Sequence, residues 1–379
     1  MLNPQRQEKA KEYARITRRL FYIELAWGVL FLLLVLLSGF SMALRDFLDF
    51  PQPARVVLYF VILILCYGVV AVPLTFYGEF VLPRRYGLSI QGFRGWLYDL
   101  AKSGMIGLVL GVGLMVAIYW LLGSFPETWW LLASAFMVVL MLIMTYLAPL
   151  IIIPLFFKMT PLSDQDLCER LSHLAERART KLRGVFTMNL SRKTTAANAA
   201  LMGLRNTRRI ALGDTILDRY SPDEIEVIVA HELGHHVHRD IAKLIVAQPV
   251  AILAGLYLAS LVLGWAVSYF GFYGLEDVAS FPLLALVLGA FTLVMMPIRN
   301  AYSRHLEGAA DEYALALTDN PEAFTNMMTK LANQNLSEAE PSRWVQMLFY
   351  DHPPYSKRVG HAQKYAELRR GVEPRGLIQ

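Results

Sequence analysis

Six apolar blocks, each long enough to cross a bilayer, constrain the fold of this chain more than any other feature. The blocks cover residues 21–44, 56–77, 104–122, 129–157, 241–270 and 278–298. A spanning helix needs about 20 predominantly apolar residues. Charged residues make up only 18% of the 379-residue chain, whereas a typical soluble domain has about 25%. We therefore expect a predominantly α-helical, polytopic membrane protein with about six transmembrane helices.

Lys and Arg residues are distributed unevenly between the loops. The N-terminal arm, the loop at 84–102, the region from 158 onward and the tail after 299 are basic, whereas the connections 123–128 and 271–277 contain neither residue. Because basic loops remain on the cytoplasmic side, we expect both termini and the large polar region to be cytoplasmic. This distribution also accounts for the formal net charge of +5, so we expect the lipid bilayer, and no nucleic acid, as a partner.

The blocks divide the chain into four segments. Residues 1–157 form a four-span N-terminal region, 158–240 a cytoplasmic insert, 241–300 a two-span hairpin and 301–379 a C-terminal part. We expect an α+β fold in the insert. Its residue patterns predict a helix over 164–182 and a strand over 185–190. A hairpin of two strands, 196–201 and 209–212, joined through 203–207, and a second helix over 221–239 are predicted to follow.

The second helix of the insert has a well-defined start. Ser221 fits the N-cap, Pro222 fits the first helical position, and Glu224 can close a capping box. Apolar residues then recur at helical spacing up to the run His-Glu-Leu-Gly-His at 231–235. The run is therefore expected to lie on a helix.

This run provides two candidate metal ligands. His231 and His235 are four residues apart, so their imidazoles project from one helix face and can bind one zinc ion. Glu232 is a candidate general base toward a water molecule and a later proton donor to the leaving amine. The alternative is a chance occurrence of the pattern, in which both histidines are simply hydrogen-bonded.

A helix that follows the sixth block provides a third candidate ligand. Glu307 and Asp311 are four residues apart on one face. Glu307 would complete a site of two histidines and one glutamate. Asp311 would accept a hydrogen bond from the ring nitrogen of His231 that does not bind the metal. The alternative is an exposed acidic face. The fifth and sixth blocks form a hairpin that brings both helices to the same membrane face, which favours the metal site.

Two other classes of protein remain open. A transporter or scaffold with a structural metal predicts ionisable residues in the middle of the spans, where the sequence has almost none. An intramembrane-cleaving metalloprotease would carry the 231–235 run inside a span, whereas here the run lies in a helix with polar flanks.

The chain resembles the type I CAAX prenyl proteases, a family of integral-membrane gluzincin zinc metallopeptidases. Besides the two metal-site helices, the similar segments are 86–102, 154–162, 198–199 and 351–358. The resemblance covers nearly the whole chain. With six spans and short loops, the chain looks like a compact prokaryotic member, which implies a bacterial or archaeal inner membrane.

The resemblance implies one Zn²⁺ per chain, bound by the two histidines of the run and Glu307, with Glu232 as the catalytic base. It also implies that a strand at Asn198 and Ala199 pairs with an extended substrate. The expected substrates are peptides or membrane proteins, with or without an attached lipid.

The resemblance assigns roles to two C-terminal residues. His352 would donate a hydrogen bond to the oxyanion that forms during hydrolysis, and Arg358 would pair with Asp311. Another membrane protease of the same class, the heat-shock quality-control type, is the nearest alternative. Four spans before the metal-site helix, instead of two, favour the CAAX type.

Overall fold

The computed structural model describes residues 1–203 and 208–371. Helices dominate these residues, and four short strands lie between the fifth helix and the seventh. The helices are α1 (Pro4–Leu37), α2 (Phe40–Phe47), α3 (Gln52–Arg85), α4 (Phe93–Ser124), α5 (Trp129–Phe156), α6 (Gln165–Arg177), α7 (Asp214–Leu217), α8 (Pro222–Val237), α9 (Asp240–Phe270), α10 (Phe281–Thr318), α11 (Pro321–Gln334), α12 (Arg343–Phe349) and α13 (Tyr355–Arg369). The strands are β1 (Met159–Pro161), β2 (Val185–Met188), β3 (Ala199–Met202) and β4 (Arg209–Gly213).

Six of the described helices are long and apolar enough to cross a membrane, namely α1, α3, α4, α5, α9 and α10. The predicted number of spans and the predominantly α-helical fold are therefore confirmed. The shortest of the six has 28 residues, more than the roughly 20 that the hydrocarbon core requires. Both α3 and α5 include one π-helical turn, at Phe76–Val81 and Ala148–Ile152.

The first apolar block, predicted as one span over 21–44, is divided between two helices. Helix α1 ends at Leu37 and α2 begins at Phe40. Gly39 between them has a φ of 77°, a left-handed conformation that commonly ends a helix. The first block therefore contributes one span, α1, and one separate short helix, α2.

The helix that contains the sixth apolar block extends about 20 residues beyond the end of that block. Helix α10 continues without interruption through Pro297 to Thr318. Glu307 therefore lies on the same helix as the sixth span. Because α9 begins at Asp240 and α10 follows it after a short connection, the two spans hold the N-terminal end of α9 and the C-terminal half of α10 at one face.

The four strands form one mixed sheet in the order β1-β2-β4-β3. Strands β2 and β4 are parallel, whereas β3 and β4 form the predicted antiparallel hairpin, with Ala199 opposite Leu212. Most of the predicted turn at 203–207 lies outside the described residues. Strand β3 occupies one edge of the sheet, so one side of its backbone has no neighbouring strand in the described part of the chain.

Several boundaries in the insert differ from the prediction; the strand expected over 185–190, for example, ends at Met188. The helix expected over 164–182 ends at Arg177, because the chain turns at Arg179, whose φ is 51°. The strand expected from residue 196 begins at Ala199.

One apolar core holds α8, the helix that carries the run at 231–235, in place. Leu171 of α6, Ile210 of β4, Val229 of α8 and Phe324 of α11 are all fully buried in it. The predicted capping box is confirmed, since the Ser221 hydroxyl accepts from the backbone N–H of residue 224, and the carboxylate of that glutamate accepts from the backbone N–H of residue 221 at 2.7 Å. The capping box fixes the N-terminal end of this helix, and the apolar core holds its buried face.

Candidate metal centre and active site

Helices α8 and α10 approach each other closely at Gly234. A Cβ atom at this position would lie 3.1 Å from the Cα atom and 3.2 Å from the carbonyl oxygen of Ala310. Glycine therefore allows the two backbones to approach closer than a larger residue would. This approach places the histidines of α8 opposite the carboxylate of Glu307.

The three predicted ligands come together. The Nε2 atom of His231 is 3.3 Å from Oε2 of Glu307, and the Nε2 atom of His235 is 3.3 Å from Oε1 of the same carboxylate. The ligand atoms all lie within 4.8 Å of one another. Two imidazole nitrogens and one carboxylate oxygen thus converge on one point.

The chemistry of this group fits a divalent cation. Glu307 is buried, and its Oε2 atom has no hydrogen-bond partner in the described part of the chain. The Nε2 atom of His231 lies 3.3 Å away but forms no hydrogen bond with this oxygen. A buried carboxylate oxygen without a partner is costly, and a cation between the three residues would satisfy it. This donor set is typical of catalytic zinc sites.

Each histidine is oriented by a carboxylate on its other nitrogen. Nδ1 of His231 lies 3.0 Å from Oδ1 of Asp311, as predicted, and Nδ1 of His235 lies 2.9 Å from Oδ2 of Asp240. Lys243 donates to the other oxygen of Asp240 at 2.8 Å. Donation from Nδ1 keeps the lone pair of Nε2 directed toward the proposed metal position.

Asp240 is a residue that the sequence analysis missed. Arg239 has a φ of 57° and separates α8 from α9. This left-handed turn directs the buried side chain of Asp240 back toward His235. An aspartate five residues after the second histidine is the signal in the sequence. Its meaning depends on the turn, which the sequence pattern did not predict.

Arg358 pairs with Asp311, as the resemblance implied. Its Nε atom donates to Oδ2 of Asp311 at 2.7 Å, and its Nη2 atom donates to Oδ1 at 2.5 Å. Burial lowers the pKa of Arg358, but the adjacent carboxylate outweighs this effect and raises it. Arg358 therefore stays charged, and it holds the carboxylate that orients His231.

The electrostatic environment of His231 also favours a cation. Burial lowers the pKa of its imidazole, whereas the hydrogen bond with Asp311 and the nearby carboxylate of Glu307 raise it, and the net pKa is about 9. The ring thus sits in an excess of negative charge. A bound divalent cation would compensate that charge in place of the proton.

His352 lies on the open side of the metal centre. Its Nε2 atom is 3.2 Å from Oε1 of Glu307, and its Nδ1 atom is 2.8 Å from the carboxylate of Asp351. The hydrogen bond with His352 lowers the pKa of Asp351. About half of the His352 side chain is exposed, so one side of the ring is accessible to solvent.

The predicted base lines one cavity together with two of the candidate ligands and one residue of the predicted substrate strand. This cavity has a volume of about 780 Å³, and its lining includes Leu201, Glu232, His235 and Glu307. The backbone N–H of Leu201 lies 3.4 Å from Oε2 of Glu232. An extended chain along β3 would therefore pass directly beside the carboxylate and the metal ligands.

The hydrogen-bond pattern of β3 leaves alternate backbone groups open. Gly213 donates to the carbonyl of Asn198 at 2.9 Å, so residue 198 faces β4. Because antiparallel partners alternate between bonded and non-bonded pairs, the N–H and C=O groups of Ala199 and Leu201 face the open edge. The Asn198 side chain is exposed, and Asn335 hydrogen-bonds both backbone groups of Ala197 just before the strand.

Family comparisons cover almost the whole chain. The model described as peptidase family M48 matches residues 161–366, and the model described as CAAX prenyl protease N-terminal, five membrane helices, matches residues 1–158. In this chain residues 1–158 contain four candidate spans and the short helix α2. The catalytic and membrane parts both have counterparts in the same family.

Several relatives match over most of their length. An uncharacterised metalloprotease of Bacillus subtilis, YhfN, is 31% identical over 96% of this chain and 87% of its own. The CAAX prenyl protease 1 homologue of Arabidopsis thaliana is 29% identical, and CAAX prenyl protease 1 of Saccharomyces cerevisiae is 26% identical, each over 76% of this chain and 68% of its own. The crystal structure of S. mikatae Ste24p superposes with a TM-score of 0.85 over 95% of this chain and 90% of its own, at 22% identity. The resemblance inferred from the sequence is confirmed: this chain belongs to peptidase family M48 and is a membrane-embedded metalloendopeptidase of the CAAX prenyl protease type.

Proposed function

We propose that this chain is a zinc endopeptidase that cleaves peptides or membrane-associated proteins at the cytoplasmic face of a bacterial or archaeal inner membrane. The observation that carries the proposal is the convergence of His231, His235 and Glu307 within 4.8 Å, beside a cavity lined by two of them and by Glu232. These three ligands would hold one Zn²⁺ per chain. When bound, the ion supplies Lewis acidity that polarises the scissile carbonyl.

The residues around the centre have separate tasks in this reaction. Glu232 takes a proton from the attacking water and returns it to the nitrogen of the leaving amine. Asp240 and Asp311 orient the two imidazoles, and Arg358 holds Asp311 in place. His352 has room to turn from Glu307 toward the substrate, where it donates a hydrogen bond to the oxyanion that develops on the carbonyl.

The substrate binds as an added strand on β3. The open N–H and C=O groups of Ala199 and the C=O group of Leu201 can bond an extended peptide. Asn198 precedes them at the start of the strand, where its exposed side chain can contact the same peptide. Backbone pairing of this kind selects for extended conformation rather than for one side chain, which suits peptides with or without an attached lipid.

The proposed orientation and segments rest on the distribution of charges and spans. Two of the basic regions, from 158 onward and after 299, contain the candidate catalytic residues, and basic loops remain cytoplasmic. Residues 1–157 would anchor the enzyme. Residues 158–240 and 301–379 would form the catalytic part, on either side of the hairpin at 241–300.

The proposal is tested with purified enzyme and a Glu232→Gln variant. Both are incubated with prenylated and unprenylated peptides, cuts are mapped by mass spectrometry, and bound zinc is measured by elemental analysis. We expect one zinc per chain in both proteins and a rate about 10²–10⁴-fold lower in the variant, since it loses general-base catalysis. Glu312→Gln, an exposed glutamate on α10, is the matched control and should cleave normally. Full activity in Glu232→Gln would refute the mechanism.

A further inference from the structure

A second cavity lies away from the metal centre, at the junction of the membrane and catalytic parts. Its volume is about 450 Å³. It is bounded by the start of α4, the end of α5 and the short helical turn Leu190–Arg192. The lining includes parts of the segments 86–102 and 154–162, which the sequence analysis identified and the proposed hydrolysis does not use. We call it the α4–α5 cavity.

The α4–α5 cavity is positively charged. Among the described residues of its lining, four are cationic, namely Lys102, Lys158, Arg192 and Lys193, and only Asp99 is acidic. The net formal charge of these side chains is therefore +3.

Much of this positive charge is not compensated within the protein. Asp99 pairs with Lys193 at 2.6 Å, lies 3.8 Å from Lys102 and accepts from Gln91. Lys158 and Arg192 are exposed and form no ion pair with the described residues. Within the described part of the chain, Lys158 and Arg192 thus remain unpaired, and Asp99 compensates only part of the charge of Lys102 and Lys193. This excess of positive charge suits an anionic ligand.

Apolar groups surround the charges on the side of the spans. The ammonium group of Lys102 lies 4.5 Å from the ring centre of Tyr98 and 4.8 Å from that of Phe156. It also donates to the backbone carbonyl of Leu155 at 2.7 Å. The side chains of Tyr98 and Leu155 are themselves well exposed. A ligand here would meet cations at one end and exposed apolar surface at the other.

We propose that the α4–α5 cavity binds the phosphate-bearing headgroup of an anionic membrane lipid. The phosphate would lie among Lys102, Lys158 and Arg192, and the acyl chains would extend along Tyr98 and Leu155. Basic pockets between the ends of transmembrane helices bind such headgroups, and the cavity volume is in the range of small-molecule sites, about 300–1,000 Å³. A free phosphate would use the cations but would leave the exposed apolar rim without a role, so the lipid accounts for more of the site.

The test measures lipid binding directly, without reference to proteolysis. The full chain is purified in detergent and titrated with phosphatidylglycerol or phosphatidylcholine, and bound lipid is counted by native mass spectrometry. The test variant is Lys158→Gln/Arg192→Gln, because neither side chain has an ion-pair partner whose loss would disturb the fold. The control is Lys9→Gln/Lys11→Gln, which removes the same charge from exposed positions on α1.

We expect one phosphatidylglycerol per wild-type chain and weaker binding of phosphatidylcholine. Each cation near an anionic lipid contributes about a fivefold gain in affinity, so the test variant should bind roughly 25-fold more weakly, and the control should match the wild type. Equal binding of the two lipids, or equal weakening in both double variants, would overturn the proposal. Binding of inorganic phosphate to lipid-free protein with the same dependence on residues 158 and 192 would identify a free phosphate instead, and would overturn the lipid assignment.

Discussion

Replacing Gly234 by alanine tests whether the close approach of α8 and α10 sets the geometry of the metal site. The added Cβ atom would lie 3.1 Å from the Cα atom and 3.2 Å from the carbonyl oxygen of Ala310, and 3.3 Å from the Cβ atom of Tyr313. Ordinary contacts of this kind begin at about 3.4 Å. Two of the three neighbours are backbone atoms of a helix and cannot rotate away, so the two helices must separate by a few tenths of an ångström.

The expected size of the effect follows from two opposing contributions. Alanine is favoured over glycine inside a helix by about 1 kcal/mol, whereas overpacking costs about 1–3 kcal/mol. Gly308→Ala on α10 is the matched control, because its Cβ atom meets nothing within 4 Å and it gains only the helix propensity. We therefore expect Gly234→Ala to be about 1–3 kcal/mol less stable than Gly308→Ala.

Metal affinity should respond more sharply than stability. Ligand distances in a metal site must be met within about 0.2 Å, and a separation of a few tenths of an ångström moves Glu307 away from both histidines. We expect zinc affinity to fall at least about tenfold, as it does when outer-shell partners of a site are lost. The assay is competition with a chromogenic chelator, combined with thermal unfolding in detergent. If Gly234→Ala binds zinc as tightly as Gly308→Ala, the spacing of the helices does not set the site.

Three other substitutions test the surroundings of the centre. Asp240→Asn removes the carboxylate that orients the second imidazole, and zinc should bind about 10–100-fold more weakly in chelator competition; unchanged affinity would contradict that role. Arg358→Gln leaves the buried carboxylate of Asp311 without its cation, and unfolding measurements in detergent should show a loss of about 3–5 kcal/mol, whereas a wild-type curve would show that the pair is dispensable. Ala199→Pro removes an N–H group from the open edge of β3, so we expect a higher KM with unchanged circular dichroism. The control Ala200→Pro, whose N–H group faces β4, should disturb the sheet itself, and equal effects of the two would argue against strand addition.

Much of the membrane part could be predicted from the sequence, because a spanning helix is recognised by the hydrophobicity of about 20 consecutive residues together. An apolar block of about 20 residues has few alternatives to a spanning helix, and the structure has the six expected spans. The boundaries were less predictable. Gly39 divides the first block through a left-handed backbone conformation, and the apolar pattern contains no information about that conformation.

The metal-site helices were predictable for a different reason. His231 and His235 share a face because of helical periodicity, and the capping box at Ser221 and Glu224 marks the start of their helix. The third ligand followed from the hairpin of two spans, which constrains where α10 can lie. The carboxylates that orient the two histidines were harder to predict. Asp240, for example, contacts His235 only because Arg239 has a left-handed backbone conformation.

The sequence by itself determined the spans, the helix that carries the histidines and the residue types available to bind a cation. These features depend on periodicity and on short-range spacing, which are properties of the chain alone. The tertiary structure decided how near the ligands lie to one another, that β3 has an open edge beside Glu232, and that cations from α4 and from the turn before β3 face one cavity. Such distances arise from packing between segments that are far apart in the chain, as at Gly234 and Ala310, and no local pattern specifies them.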